Sequence, residues 1–293
     1  MLAFIFEAPI PVTALEGTAI LFVALLGLAD DRWDIRARYK AIACLVLAVV
    51  LSLGAYHWVT PTAAPFQFLW FTLPFSIWTV FPLLVVMFWS LPQAFNLIDG
   101  ANGLAIGFAL VVMGSLWVAG YPHPLTIGGL IGCLLWNWPR ARLFLGDCGS
   151  LSIGLLVVIF AQKNVLTANP NHMLWLFAYP IADVLLVMAI RKTLRRPIFC
   201  GDRNHLHFQL QDRFPRFQRL VVPLLLGISA LCNSAIYLQG AWQILPGVGL
   251  ILLLLFAAWA FLASTVVHRN RETANSADPV PPSSADTSAL PAK

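Results

Sequence analysis

Long, unbroken apolar runs are the feature of this sequence that most restricts how the chain can fold. Of its 293 residues, 59% are hydrophobic and only 11% are charged, and the mean hydropathy is +0.80. A soluble domain carries about 25% charged residues, so these charges are too few to cover a globular surface. Because the apolar residues come in runs and not in amphipathic periods, an integral membrane protein is predicted and one soluble domain is disfavoured.

A spanning helix needs about 20 mostly apolar residues, and nine runs come close to that length. We therefore predict an all-α fold, a polytopic transmembrane bundle of about nine helices with active-site loops in the cytoplasm. This membrane domain covers residues 1–268, and the Pro-, Ser- and Ala-rich segment 269–293 is predicted to be a disordered cytoplasmic tail. The runs lie near 13–29, 41–59, 76–98, 103–119, 124–138, 150–162, 173–191, 219–238 and 246–267.

The basic residues predict the orientation of these helices. When the loops are numbered alternately, 17 of the 18 Lys and Arg residues fall in one set, and only Lys163 falls in the other. The positive-inside rule then has the odd-numbered helices end in the cytoplasm. The net charge of +5 therefore indicates topology and a surface for an anionic substrate, and not binding of nucleic acid. Five cysteines without CxxC spacing favour neither a disulfide framework nor a zinc site.

Four polar clusters lie on the predicted cytoplasmic side, and two of them follow the first and third runs. Asp30 and Asp31 end the first run, where neighbouring carboxylates repel each other and gain nothing from a helix C-terminus. A functional role is therefore a better explanation than a solvated helix end. Asn96 and Asp99 are three residues apart and would share one face of a last helical turn. An ordinary Asn/Asp/Gly turn is the competing explanation for this second cluster.

The other two clusters belong to later loops. Asp147 lies between glycines directly before an apolar helix, where backbone N–H groups could cradle a phosphate, although a helix N-cap explains it equally well. Arg142, just upstream, is placed to meet phosphate. His205 and His207 share a face only if their backbone is extended, and histidines without a role are as good an explanation. Asp183 interrupts the seventh run, and an intramembrane carboxylate is by default a functional hypothesis.

The combined composition of these clusters indicates a kind of chemistry. Several carboxylates, an Asn and two His without thiolate ligands favour a hard, oxygen-bound cation such as Mg²⁺ over zinc. Mg²⁺ together with Arg and His suggests phosphate chemistry. Apolar helices beside such a site suggest that one of the substrates is a lipid.

Four sequence motifs resemble those of the polyprenyl-phosphate N-acetylhexosamine-1-phosphate transferase family. They are NLIDGANGLA (96–105), LGDCGSLSIG (145–154), Asp30-Asp31 and DRNHLH (202–207). That family includes the phospho-MurNAc-pentapeptide translocase. The resemblance implies a Mg²⁺-dependent reaction, with Mn²⁺ as an alternative, in which a UDP-sugar and a polyprenyl (undecaprenyl) phosphate give UMP and a polyprenyl-diphosphate sugar. It also implies a multi-pass protein of the bacterial inner membrane that initiates synthesis of a cell-envelope polysaccharide.

The resemblance also implies a role for each site residue. Asp147 would be the principal Mg²⁺ ligand and Asn96 a second one. Asp99 would support nucleotide or metal binding, while Asp30 and Asp31 would position or deprotonate the lipid phosphate. The histidines would contact the donor diphosphate. The implied substrate-binding residues are His205, His207, Arg203, Asn102 and Arg142.

Two features depart from the family's pattern. Phe208 stands where the N-acetylglucosamine branch usually has another His, which leaves the choice among N-acetylhexosamine donors open. Only about 30 residues precede Asp30, so we expect an N-terminal helix pair of the family to be missing. An inactive scaffold of the same fold is therefore an alternative. A transporter or flippase is a weaker one, because its charges should lie at mid-membrane. Membrane lipid is an expected partner, and a homodimer is compatible with the sequence.

Overall fold

The structure is a computed structural model, and it describes residues 12–58, 66–68, 71–73, 76–166, 171–197, 203–238 and 244–277. Helices dominate this part of the chain. They are α1 (Ala14–Trp33), α2 (Ala37–Trp58), α3 (Ile77–Ile98), α4 (Leu104–Val118), α5 (Pro124–Asn137), α6 (Gly146–Ala161), α7 (Asn171–Leu176), α8 (Ala178–Thr193), α9 (Leu206–Arg213), α10 (Gln218–Asn233) and α11 (Ile244–Ala277). A short antiparallel hairpin of β1 (Phe66–Phe68) and β2 (Phe71–Leu73), which the sequence did not predict, follows α2.

Each predicted apolar run coincides with helix, which confirms the helical membrane fold. Among the described residues, five segments are long and apolar enough to cross a membrane, and two further apolar helices, α4 and α5, are shorter. The predicted count of nine membrane helices is therefore not confirmed. One physical reason is that the seventh run divides at Phe177 into α7 and α8. The five segments are Ala37–Tyr56, Ile77–Ile98, Gly146–Asn164, Pro215–Ile236 and Leu245–Thr265.

An aromatic cluster forms the centre of the bundle, where α3, α4 and α8 meet. The ring of Phe108 lies 5.2 Å from Phe95, 6.3 Å from Phe177 and 6.0 Å from Tyr179, all in tilted or edge-on geometries that aromatic pairs prefer. These four side chains are fully buried. They pack α3 and α4, whose facing ends carry the second polar cluster, against α8, which carries Asp183.

Close contact between α1 and α6 positions two of the polar clusters. A Cβ atom added to Gly27 would lie 2.4 Å from the carbonyl carbon of Asp147, so a side chain at this position would collide with backbone. The end of α1 therefore touches the start of α6. At the other end of the same helix pair, Lys163 pairs with the buried Glu16 at 2.6 Å. Lys163 is the basic residue that fell outside the predicted cytoplasmic set.

The C-terminal helix is longer than expected. α11 continues to Ala277, past residue 269, where the sequence predicted the disordered tail to begin. Residues 278–293 lie outside the described residues, so the division into a membrane domain and a tail stays a prediction.

Candidate active site

Three of the four polar clusters meet at Asp147, two of them through the ammonium group of Lys40, near the start of α2. Lys40 Nζ lies 2.8 Å from Asp30 Oδ2 and also contacts Asp147 Oδ2. Asn96 Nδ2 donates hydrogen bonds to Asp147 Oδ1 at 2.7 Å and to Ser150 Oγ at 2.9 Å. The Lys40 and Asp30 side chains are each 15% exposed and Asp147 is 23% exposed, so these charges interact more strongly than surface pairs do. From the sequence, Lys40 was predicted only to indicate topology, and its contact with the two carboxylates was not predicted.

Asp31 holds the start of α6. Its two carboxylate oxygens accept hydrogen bonds from the backbone N–H groups of Asp147, at 2.9 Å, and Cys148, at 3.2 Å. Gly146 has a positive φ of 58°, and an added Cβ there would lie 2.5 Å from Asp31 Oδ2. The carboxylate thus caps α6 from a neighbouring helix. These are the N–H groups that the sequence suggested as a phosphate cradle, and Asp31 already uses them.

A cavity of about 320 Å³ opens beside this cluster. Asn96, Asp99, Asn102, Phe144 and Asp147 are among the residues that line it. Burial, reinforced by the charge of Asp147, raises the pKa of the Asp99 carboxyl to about 7. A carboxyl with that pKa can gain or lose a proton near physiological pH, which is a property of many functional sites.

Asn137, at the end of α5, ties two loops of the cavity together. Its Oδ1 accepts a hydrogen bond from the backbone N–H of Gly103, and its Nδ2 donates to the carbonyl of Leu143 at 2.7 Å. Asn102 Nδ2 donates to the carbonyl of Pro139 at 3.3 Å, between the same two loops. Asn137 was not predicted to be a site residue, because an Asn at the end of an apolar run gives no signal of the distant loops that it contacts.

The fourth cluster reaches the second one through its histidines. His205 precedes α9 with extended backbone (φ −62°, ψ 145°), and His207 lies in the first turn. Their rings stack with centroids 5.7 Å apart, although only the first of the two residues has extended backbone. A Cβ added to Gly100 would lie 2.4 Å from His207 Nε2, which places His207 against the cavity wall.

Both histidines are buried, with 4% of His205 exposed and none of His207. Both ring nitrogens of His207 lack a hydrogen-bond partner within the described part of the chain. Burial lowers the pKa of His207 to about 4, so its ring is neutral near pH 7. A direct contact with the donor diphosphate stays a prediction for this residue.

The two predicted arginines lie on the surface. The Arg203 guanidinium stacks 4.5 Å above the Phe208 ring and donates to Asp212 Oδ1 at 3.0 Å. Arg142 is exposed on the loop after α5. Among the described residues that line the cavity, neither arginine is present. Asp202, the first residue of the fourth cluster, lies outside the described residues.

The acidic residues could hold a metal only with help from a substrate. Across the described ranges, no three His, Cys, Asp or Glu side chains come close enough together to hold a metal ion. Mg²⁺, however, usually binds one or two carboxylates and completes its shell with water and substrate phosphates. Asp30 and Asp147 already accept a cation between them, the Lys40 ammonium, and Asn96 is fixed beside them. This donor set fits Mg²⁺ in a substrate-completed site and does not fit a closed structural metal site.

Comparison with known proteins identifies relatives of this chain. The family model for glycosyl transferase family 4 matches residues 14–164. An undecaprenyl-phosphate alpha-N-acetylglucosaminyl 1-phosphate transferase of Yersinia pestis is 26% identical over 211 residues, which cover 63% of this chain and 54% of the relative. A phospho-N-acetylmuramoyl-pentapeptide-transferase of Halalkalibacterium halodurans is 27% identical over 206 residues, covering 64% and 62%. A decaprenyl-phosphate N-acetylglucosaminephosphotransferase of Mycobacterium tuberculosis is 25% identical over 267 residues, covering 79% and 64%. The chain thus spans less than two thirds of the length of these relatives.

Proposed function

This chain belongs to glycosyl transferase family 4, and from that premise we propose that it transfers a sugar-1-phosphate from a UDP-sugar to a polyprenyl phosphate. The group we favour is N-acetylglucosamine 1-phosphate or a related N-acetylhexosamine 1-phosphate, because two of the relatives are named for N-acetylglucosamine. One observation carries the proposal: residues from three distant sequence clusters, Asp30, Asn96 and Asp147, meet beside the cavity that Asp99 also lines.

The proposed reaction is a displacement at phosphorus. An oxygen of the lipid phosphate attacks the phosphorus that carries the sugar, the bond from that phosphorus to the UMP oxygen breaks, and UMP leaves with the electron pair. A phosphate monoester is already largely ionised near pH 7, since its second pKa is about 6. The residues are therefore needed more for orientation and charge neutralisation than for removal of a proton.

Each carboxylate of the site has a distinct place in this proposal. Asp147, with Asp30 and Asn96 beside it, would hold Mg²⁺ (or Mn²⁺), whose contribution when bound is to neutralise charge on the reacting phosphates. Asp31 fixes the first turn of α6 and so fixes the direction of Asp147. Asp99, with its pKa near 7, can present either a carboxylate or a proton-bearing oxygen to the substrate.

We further propose a place for the enzyme in the cell: a bacterial inner membrane, with the site on the cytoplasmic side. The positive-inside bias supports this orientation, because Lys40 lies at the site end of the α1–α6 pair and Lys163 lies at the other end. The polyprenyl-linked product would then feed synthesis of a cell-envelope polysaccharide.

The decisive experiment supplies membranes that contain this chain with undecaprenyl phosphate, Mg²⁺ and one radiolabelled UDP-N-acetylhexosamine at a time. We expect label in a lipid-extractable product together with an equal amount of UMP, and loss of both in Asp147→Ala. If the wild-type protein is folded in the membrane and releases no UMP from any of these donors, the inactive-scaffold alternative is supported instead.

A further inference from the structure

Asp183 is a buried carboxylate that the predicted reaction does not use. It lies in α8 with 1% of its surface exposed. Asp183 Oδ2 accepts a hydrogen bond from His205 Nδ1 at 2.6 Å, and Oδ1 accepts one from the backbone N–H of Leu206 at 2.6 Å. Burying an ionised carboxylate is costly unless it is paired and hydrogen-bonded. Both oxygens therefore bind strongly to the two residues that begin α9.

These two hydrogen bonds determine how the His205 ring is presented. Because a carboxylate accepts hydrogen bonds and does not donate them, the Nδ1 that faces Asp183 must carry a proton. The second bond fixes the backbone at Leu206, next to His205, and the ring cannot turn away without losing its own hydrogen bond to Asp183. Nε2 is then the ring nitrogen left to meet a ligand. The ring stacks on His207, which lies against Gly100 in the wall of the cavity.

We propose that Asp183 is a positioning residue for the transferase reaction: it accepts a hydrogen bond from His205 Nδ1–H and directs Nε2 toward the donor diphosphate. The contact requires a proton on Nε2 as well, so that Nε2–H donates to a phosphate oxygen, and the Asp183 carboxylate balances the positive charge of that ring. This inference rests on the proposed function.

Asp183→Asn tests the role directly. The amide keeps the size of the side chain and its oxygen can still accept from Leu206 N–H, but its NH₂ group cannot accept from His205 Nδ1–H, and the variant lacks the negative charge that balances a ring with protons on both nitrogens. We expect the KM for the UDP-sugar to rise on the order of 10- to 100-fold, the loss typical of a hydrogen bond to a charged group. The KM for polyprenyl phosphate should change little.

A double-mutant cycle separates positioning from simple stabilisation. His205→Asn retains a donor for Asp183 at the Nδ1 position and lacks a group at Nε2. If Asp183 acts through His205, the double variant Asp183→Asn/His205→Asn is no worse than His205→Asn alone. If the two losses multiply, Asp183 acts independently of His205 and the proposal is overturned. Glu16→Gln is the control, because it also replaces a buried carboxylate by an amide, but at the end of α1 away from the site. It should lower the melting temperature without changing the KM for the UDP-sugar.

A measurement without turnover distinguishes failure of this proposal from failure of the proposed function. ¹⁵N NMR of histidine-labelled protein, with the His205 signal assigned from His205→Asn, should show a protonated Nδ1 in the wild-type protein and its loss in Asp183→Asn. An unprotonated Nδ1 in the wild-type protein would overturn the positioning role. Absence of UMP release from a wild-type protein that shows the protonated Nδ1 would overturn the transferase assignment, and with it a role toward the donor diphosphate.

Discussion

The two ends of the α1–α6 helix pair both contain a buried or half-buried lysine, but they differ in charge balance. At one end the Lys163 ammonium pairs with the Glu16 carboxylate, the one carboxylate that the structure describes against it. At the other end Lys40 contacts two carboxylates, Asp30 and Asp147, and two more carboxyl groups lie beside them. Asp31 touches the start of α6, and Asp99 lines the same cavity.

This difference indicates which end is built for a ligand. An ammonium paired with one carboxylate has no excess charge for a ligand to neutralise, and its chief effect is on the stability of the fold. Several carboxylates around a single ammonium leave negative charge that a bound cation can neutralise, and such unbalanced groups are typical of functional sites. The excess at the Lys40 end also explains why the pKa of Asp99 is raised, since burial and the charge of Asp147 both disfavour its ionised form.

The largest expected effect of a single substitution is on activity at the Lys40 end. Asp147→Asn should lower UMP release by about 10²- to 10³-fold, because the site loses charge aimed at the reacting phosphates. Glu16→Gln, the matched change at the balanced end, should leave UMP release near normal. Radiometric assays at saturating Mg²⁺ compare the two variants. Near-normal turnover by Asp147→Asn would contradict the assignment of the Lys40 end as the active site.

Stability should respond differently to loss of each lysine. Lys40→Met leaves two partly buried carboxylates facing each other, and we expect a loss of about 2 kcal/mol in the absence of divalent cations. Added Mg²⁺ should restore most of that loss, because a cation that binds the folded state stabilises it. Lys163→Met should also destabilise the protein, but Mg²⁺ should not restore it, since the loss of the Glu16 ion pair leaves a single carboxylate and not a pair that could share a cation. Thermal unfolding in detergent with and without Mg²⁺ makes the test, and equal rescue of both variants would contradict it.

Much of this site could be predicted from the sequence. Asp30, Asn96, Asp99 and Asp147 each follow or precede an apolar run, and the charge bias places all of these ends on one side of a membrane. That topology predicts a common membrane face for the clusters. The NLIDGANGLA and LGDCGSLSIG motifs then indicated phosphate transfer to a lipid.

The individual contacts could not be predicted, because they join residues that are distant in sequence. The partner of Asp31 is a pair of N–H groups more than 100 residues later, and no periodicity in either segment encodes that contact. Lys40 had the same sequence signature as the other basic residues at helix ends. The division of the seventh run at Phe177 and the hairpin after α2 also depend on packing that the hydropathy pattern does not record.

A smaller effect is expected from pH. The pKa of Asp99 in the folded protein is raised to about 7 from 3.8, so its favourable contribution to stability is fully present below pH ~4 and is lost as pH rises through ~7. Asp99→Asn removes that dependence. Between pH 5 and pH 8 we expect the wild-type protein to lose about 1 kcal/mol relative to the variant, after allowance for solvent screening at this partly exposed carboxyl. Asp212→Asn, at an exposed carboxylate, is the control, and parallel pH profiles for wild type and Asp99→Asn would contradict the assignment.

The smallest effect on stability should come from the helix caps at the two ends of the α1–α6 pair. Asp31→Ala removes the acceptor for the Asp147 and Cys148 N–H groups, and loss of a cap costs about 1 kcal/mol. Thr13→Ala removes the N-cap of α1 at the opposite end, with a cost of similar size. The two variants should therefore melt alike, but only Asp31→Ala should lose turnover, because the direction of Asp147 depends on that cap. An Asp31→Ala protein with normal stability and a selective loss of polyprenyl-phosphate use would show that the carboxylate serves the lipid substrate directly, as the family resemblance implies.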